Sequence, residues 1–192
     1  MIFDSQPPPN FDLRGYPPLL RHILDGDDYL PLLASACRPK HQADWRTLMK
    51  RLAERPPRDR ALAESFHTQW HVSHHRIREL VDDDTLLMDM LWVWLPRYEG
   101  PDLLLFRGEN VDRHAAGHIG TAWTADQETA RIFAEGNNAV GSGGLILRTT
   151  APASAIIAGP SHHSRYLDES EFSLDTRRLA GIDVVKRYPG HR

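Results

Sequence analysis

The stretch LLLFRGE, residues 103–109, decides the fold, because the texture of the chain changes there. Four consecutive apolar residues running into an arginine, a glycine and a glutamate read as a buried strand with a charged end. Upstream, back to about residue 18, the pattern is helical. Trp45, Leu48, Met49 and Leu52 recur at i, i+3, i+4 and i+7, one apolar stripe on a helix over 43–55 that Pro56 and Pro57 end. A longer helix is expected over 59–81 with Asp59 as its N-cap, and a third over 85–95, closed by Pro96. The run Asp82-Asp83-Asp84 suits the positive end of that third helix. Downstream the apolar runs are short: strands are expected at 103–107, 121–124, 145–150, 154–158 and 171–174, with IDVVKR after them. One helix interrupts them, ADQETARIFAEG, capped by Asp126 and stopped by Gly136.

The fold class is therefore α+β, with a boundary near residues 96–101. Residues 1–100 form a helical region that begins with a proline-rich arm over 1–18, and residues 101–192 form a mixed α/β region. The two are expected to behave as one cooperative unit, and no internal repeat is present.

Composition narrows the class of protein. Apolar residues make up 41% and charged residues 26% of the 192, the balance of an ordinary globular chain. The formal charge of -3, with basic and acidic residues interleaved, argues against a protein held to nucleic acid by bulk electrostatics. The single cysteine, Cys37, excludes an intramolecular disulfide framework and fits a reducing compartment. The N-terminus has no basic segment followed by an apolar run, and LLMDMLWVWL, an apolar stretch carrying an acid, stops at Pro96. The expectation is a cytoplasmic chain with no membrane span, compatible with delivery to another cell by a signal-independent route.

Three motifs that tempt a functional reading are bland. His67, His71 and His75 fall at i, i+4 and i+8 on one helix, but the segment lacks HExxH and no Cys/His cluster elsewhere completes a zinc site. They read as a polar, partly exposed helix face, and no metal is expected. GSGG at 141–144 feeds the apolar strand LILR rather than a helix, so it is a hairpin or loop and not a phosphate cradle. DGDD at 25–28 lacks the later ligands of a calcium loop and reads as a turn with a helix cap.

Three elements of the second region differ, because they come in a meaningful order. FRGE puts Arg107 at the end of a buried strand, where an unpaired guanidinium is costly. GTAWTAD puts small hydroxyl residues and a tryptophan at a strand-to-helix junction. ESEF puts Glu169 and Glu171 two apart at the mouth of a strand, where alternation would aim both carboxylates the same way. Alone, that pair is a solvated strand edge.

Together the set resembles the Arg…Ser-Thr-Ser…Glu-x-Glu signature of the ADP-ribosyltransferase superfamily, in its bacterial toxin-like mono-ADP-ribosyltransferase form. The resemblance covers roughly residues 103–187. It implies a split β-sandwich of two facing sheets flanking a cleft, with Arg107 and Glu171 both turned into it. It also implies NAD as co-substrate, with Arg107 on a phosphate, Gly108 beside it, and Thr124 supporting the strand that builds the nicotinamide pocket. Trp123 and Ala125 stand where the family has its two serines, the first of which hydrogen-bonds the catalytic glutamate. Thr121 or Thr124 would then replace that support, and Trp123 either walls the nicotinamide ring or is a core tryptophan. Arg107 has its own alternative, a structural ion pair with Glu109.

The chemistry explains why these residue types are wanted. Loss of nicotinamide passes through an oxocarbenium-like ribosyl state that a fixed anion stabilises, the role implied for Glu171. Glu169 would orient or deprotonate the incoming nucleophile. Tyr166, in the loop SHHSRYLD, would contact the acceptor, unless it is a packing tyrosine. The expected function is transfer of ADP-ribose to a macromolecule, a protein arginine favoured over nucleic acid, in a toxin-like or regulatory setting that a neutralising antitoxin or immunity protein would match. The alternatives are an NAD glycohydrolase on the same fold and a non-catalytic binding protein that keeps the fold.

Overall fold

A computed structural model describes Ile23, residues 42–167 and residues 169–191. The proline-rich arm, the DGDD turn and Cys37 lie outside the described residues. The chain divides into two compact units, Met1–Pro96 and Arg97–Arg192.

In the first unit, helices α1 (Gln42–Glu54), α2 (Arg60–Val81) and α3 (Asp84–Trp94) follow the apolar periodicity. Trp45, Leu48, Met49 and Leu52 are all buried, as their spacing on one face requires. The three consecutive aspartates divide their labour. Asp82 ends α2 in the left-handed conformation, Asp83 caps α3 by accepting from the Leu86 N–H at 3.0 Å, and Asp84 takes the Arg78 guanidinium at 2.6 and 2.8 Å. Arg46 of α1 donates to the carbonyls of Val81 and Asp82 at 2.6 and 3.0 Å, satisfying acceptors that a helix end leaves open. Trp94 closes the core, its Nε1–H donating to the Leu52 carbonyl at 2.8 Å and its ring 5.0 Å from that of Phe66. The histidine face is less polar than its spacing suggests. His67 and His71 are buried and His75 is exposed, so the three do not share one environment. Although its ring reaches solvent, desolvation by the surrounding helix atoms and the neighbouring His74 and Arg76 hold His75 below the usual imidazole range.

The second unit carries strands β1 (Leu103–Asn110), β2 (Ala122–Thr124), β3 (Gly144–Ala151), β4 (Ile156–Ala158), β5 (Glu171–Leu174) and β6 (Asp183–Tyr188). They form one antiparallel sheet in the order β4-β5-β2-β1-β3-β6, rather than two separate sheets. Helix α5 (Gln127–Glu135) joins β2 to β3. Two short helices that the sequence pattern does not announce, α4 (Val111–Ala115) and α6 (His162–Tyr166), are capped by Asn110 and Ser161.

The sheet is strong at one place and weak at another. β1 and β3 pair over eight residues, from Leu103↔Ala151 to Asn110↔Gly144. One core cluster joins Leu105, Trp123, Leu145, Leu147, Ile156, Phe172 and Leu174, and another joins Phe106 and Ile146 to Ala130 and Ala134 of α5. Helix α5 presses so closely that a Cβ on Gly108 would lie 2.6 Å from the Ala130 carbonyl oxygen and the Ala134 nitrogen. β1 and β2, by contrast, share the single registered pair Phe106↔Thr124. The middle of the sheet is therefore a seam.

Candidate active site

The seam is where the charged end of LLLFRGE lies. Arg107 follows Phe106, so by pleat alternation its side chain leaves β1 on the opposite side from Phe106. Its guanidinium then reaches across to β2: Nη1 donates to the Ala122 carbonyl at 2.6 Å and Nε donates to Glu109 Oε2 at 2.9 Å, with Nη2 also 2.9 Å from that oxygen. Glu109 is 1% exposed and accepts in addition from the backbone N–H of Gly120 at 3.1 Å and of Asn110 at 3.0 Å. Arg113 of α4 stands 3.8 Å from its other oxygen. Side chains thus join β1 to β2 where the backbone ladder stops. The structural ion pair offered as the alternative reading of Arg107 is present. At least two of the five guanidinium N–H groups remain beyond these contacts, on a side chain that is 12% exposed.

β2 continues in register into β5, with Ala122↔Ser173, Trp123↔Phe172 and Thr124↔Glu171. Paired residues of an antiparallel ladder share a face, so Glu171 lies beside Thr124. The Thr124 hydroxyl does not point its hydrogen bond at a carboxylate. It donates to the Glu169 carbonyl at 2.9 Å and accepts from the Asp126 N–H at 3.1 Å. Asp126 caps α5 by accepting from the N–H groups of Glu128 and Thr129 and from the Thr129 hydroxyl, and these bonds hold its carboxyl below the usual range.

The two glutamates are not related as alternation would have it. β5 begins at Glu171, and Ser170 before it has φ 46°, in the left-handed region. Glu169 lies outside the strand, so the expectation that both carboxylates project from one strand face is corrected: the chain turns between them. Ser164, fully buried on α6, holds that turn from the other side. Its hydroxyl accepts from the Glu171 N–H at 2.7 Å and its carbonyl accepts from the Glu169 N–H at 3.1 Å.

Two alternatives left open by the sequence are narrowed. Trp123 is 1% exposed within the core cluster, with its Nε1–H donating to the Gly120 carbonyl at 3.0 Å, so of its two readings the core tryptophan is the one observed. Gly108 is bare because α5 packs against it. Tyr166 is 80% exposed, with the His163 ring 6.5 Å away, and is not a packing tyrosine. Thr121 is buried, and its carbonyl accepts from the Leu174 N–H at 2.8 Å.

Arg107, Thr124 and Glu171 thus lie on three neighbouring strands, but the register puts Thr124 and Glu171 on the face of Phe106 and Arg107 on the opposite one, so the expectation that Arg107 and Glu171 both turn into one cleft is not met where they leave their strands. Sequence reasoning missed Ser164 and the hub at Asn110. The Asn110 Nδ2 donates to the carbonyls of Asn138 and Val140, both at 3.0 Å, and pins the loop before β3. Among the described residues no three His, Cys, Asp or Glu side chains gather as a metal site, and no helix is long and apolar enough to cross a membrane. In comparisons with known proteins, no family model, curated protein or solved structure matches this chain.

Proposed function

We propose that residues 101–192 are an NAD-dependent mono-ADP-ribosyltransferase domain acting on a macromolecular acceptor, a protein arginine side chain being favoured. The observation that carries the reading is the placement of Arg107, Thr124 and Glu171, far apart in sequence, on the adjacent strands β1, β2 and β5. The single pair joining β1 to β2 supports a split at the seam into halves β4-β5-β2 and β1-β3-β6. NAD would lie across the mouth of that seam, because a ligand on one face would not meet both Arg107 and Glu171.

Thr124 stands opposite Glu171 in the β2–β5 register, its hydroxyl bonded to the Glu169 carbonyl, and the helix-capping Asp126 follows two residues later. In this reading the two remaining Arg107 N–H groups take a phosphate oxygen of NAD, as a forked guanidinium does well. The bond from ribose C1′ to the nicotinamide nitrogen breaks with its electron pair going to that nitrogen, which neutralises the pyridinium. Glu171 stabilises the ribosyl cation left behind. An acceptor nitrogen then attacks C1′ and gives its proton to Glu169.

Labelled NAD with purified protein and a lysate should label a macromolecule, and nicotinamide release without lysate would mark hydrolysis instead. Glu171→Gln should lower both by at least a hundredfold, the loss of about 3–4 kcal/mol of electrostatic stabilisation. Glu169→Gln should suppress transfer while sparing slow hydrolysis. Equal loss in the two variants would refute the division of roles.

One observation favours a second reading, a binding protein that keeps the fold without catalysis. The Arg107 guanidinium is already engaged by Glu109 and the Ala122 carbonyl, as a purely structural arginine would be. Calorimetry separates the two: no heat with NAD and no thermal stabilisation would support the second.

A further inference from the structure

The turn between the two glutamates rests on a residue type ill suited to it. A non-glycine residue at positive φ is uncommon, and serine has neither glycine's freedom nor the enrichment of Asn and Asp there. Ser170 nevertheless adopts φ 46°, and the hydrogen bonds around it explain why. On one side, the Ser164 hydroxyl and carbonyl accept the N–H groups of Glu171 and Glu169. On the other, the Thr124 hydroxyl donates to the Glu169 carbonyl. Ser164 is itself fixed, fully buried and with its N–H donated to the Ser161 hydroxyl at 3.0 Å. The N–H groups of Glu169 and Glu171 and the carbonyl of Glu169 are therefore tied to neighbours on two different elements. Strain of this kind persists only where the surroundings over-determine it.

We infer that Ser164 is a positioning residue: its buried hydroxyl and carbonyl, with Thr124 opposite, hold Ser170 left-handed and so set where the Glu169 carboxylate stands relative to Glu171. This rests on the transferase reading above and deepens it, since the spacing of the two glutamates would decide whether the ribosyl cation meets the acceptor or water. Ser164 also lies on the same short helix as Tyr166, whose ring is 80% exposed. The clamp couples that surface aromatic to the glutamates through two hydrogen bonds.

The test is the ratio of acceptor labelling to nicotinamide release, measured with labelled NAD for wild type and four variants, folding being checked by circular dichroism. Ser164→Ala removes the hydroxyl that holds the Glu171 N–H, and Ser170→Val puts a β-branched residue where φ must be positive. Both should lower the ratio at least tenfold. Ser170→Gly and Ser170→Asn tolerate the left-handed turn and should keep the ratio within about twofold of wild type. A role confined to stability would lower the melting temperature in the first pair and leave the ratio unchanged, which overturns the inference. Should Ser164→Ala fail to fold, the contrast of Ser170→Val with Ser170→Asn still decides it. A wild-type protein with neither activity would instead overturn the transferase reading beneath it, a different result from equal ratios.

Discussion

Replacing Glu109 by glutamine tests what holds the seam of the sheet. The carboxylate is 1% exposed and its main cationic partner, Arg107, has a side chain 12% exposed, so solvent screens the pair little. Glutamine keeps the shape and one acceptor oxygen, but it removes the negative charge and sets an NH2 group among the donors of Arg107, Asn110 and Gly120. Breaking a buried ion pair by neutralising one partner costs about 3–5 kcal/mol, because the other charge stays buried. Against a typical total of about 5–15 kcal/mol, that is a large share of the stability of the fold. Urea or thermal unfolding measures it, provided residues 97–192 unfold as one cooperative step. The decisive form is a double-mutant cycle with Arg107→Leu. If the two side chains act as a pair, the double variant should recover about 1–3 kcal/mol relative to the sum of the singles. Simple additivity would refute the pair as the stitch of the seam. On the transferase reading the same cycle bears on function, since an Arg107 oriented by Glu109 would lose NAD affinity in Glu109→Gln even where the domain remains folded.

Three shorter predictions follow from the same geometry. Gly108→Ala should destabilise the domain by about 1–3 kcal/mol, and its melting temperature should fall, because the added methyl meets backbone atoms of α5 at 2.6 Å. Asp126→Ala should cost about 1 kcal/mol by uncapping α5, measured as a loss of stability near neutral pH. The carboxyl of Asp126 is held below its ordinary value by the Thr129 hydroxyl and two backbone N–H groups, so folding favours the charged form. Its contribution should be whole above the ordinary aspartate range and fade as the pH falls through the lower folded value, whereas Asp126→Ala should show a flatter acid limb. Arg107→Lys should lower stability, and on the transferase reading NAD affinity as well, since lysine keeps the charge but loses the fork that spans Glu109 and the Ala122 carbonyl.

How far the chain could be read depends on whether each feature is local. The stripe Trp45, Leu48, Met49 and Leu52 and the caps at Asp59 and Asp126 follow from the side chains and their immediate neighbours and appear as expected, and the run LLLF forms its strand, though Leu104 is 50% exposed rather than buried. The destination of Arg107 was not local in this sense. Its partners include the carbonyl of Ala122 on another strand, and no periodicity signals that β1 and β2 will share one pair while β1 and β3 share eight. Trp123 was ambiguous for the same reason: a tryptophan at a strand end is core or wall according to what packs on it, and here Leu105, Leu147 and Phe172 do. The glutamates show the limit most plainly. Period-two alternation is a property of residues already in a strand, and the first of the pair precedes β5. What bends the chain there is a hydroxyl from α6, a short helix whose signal is a single capping serine three residues before Ser164. Two carboxylates on one extended face would repel each other. A left-handed serine breaks that alternation, because the backbone direction at Glu169 is set by the Ser164 carbonyl and the Thr124 hydroxyl rather than by the pleat. The cost of that turn is borne by one strained backbone angle at Ser170.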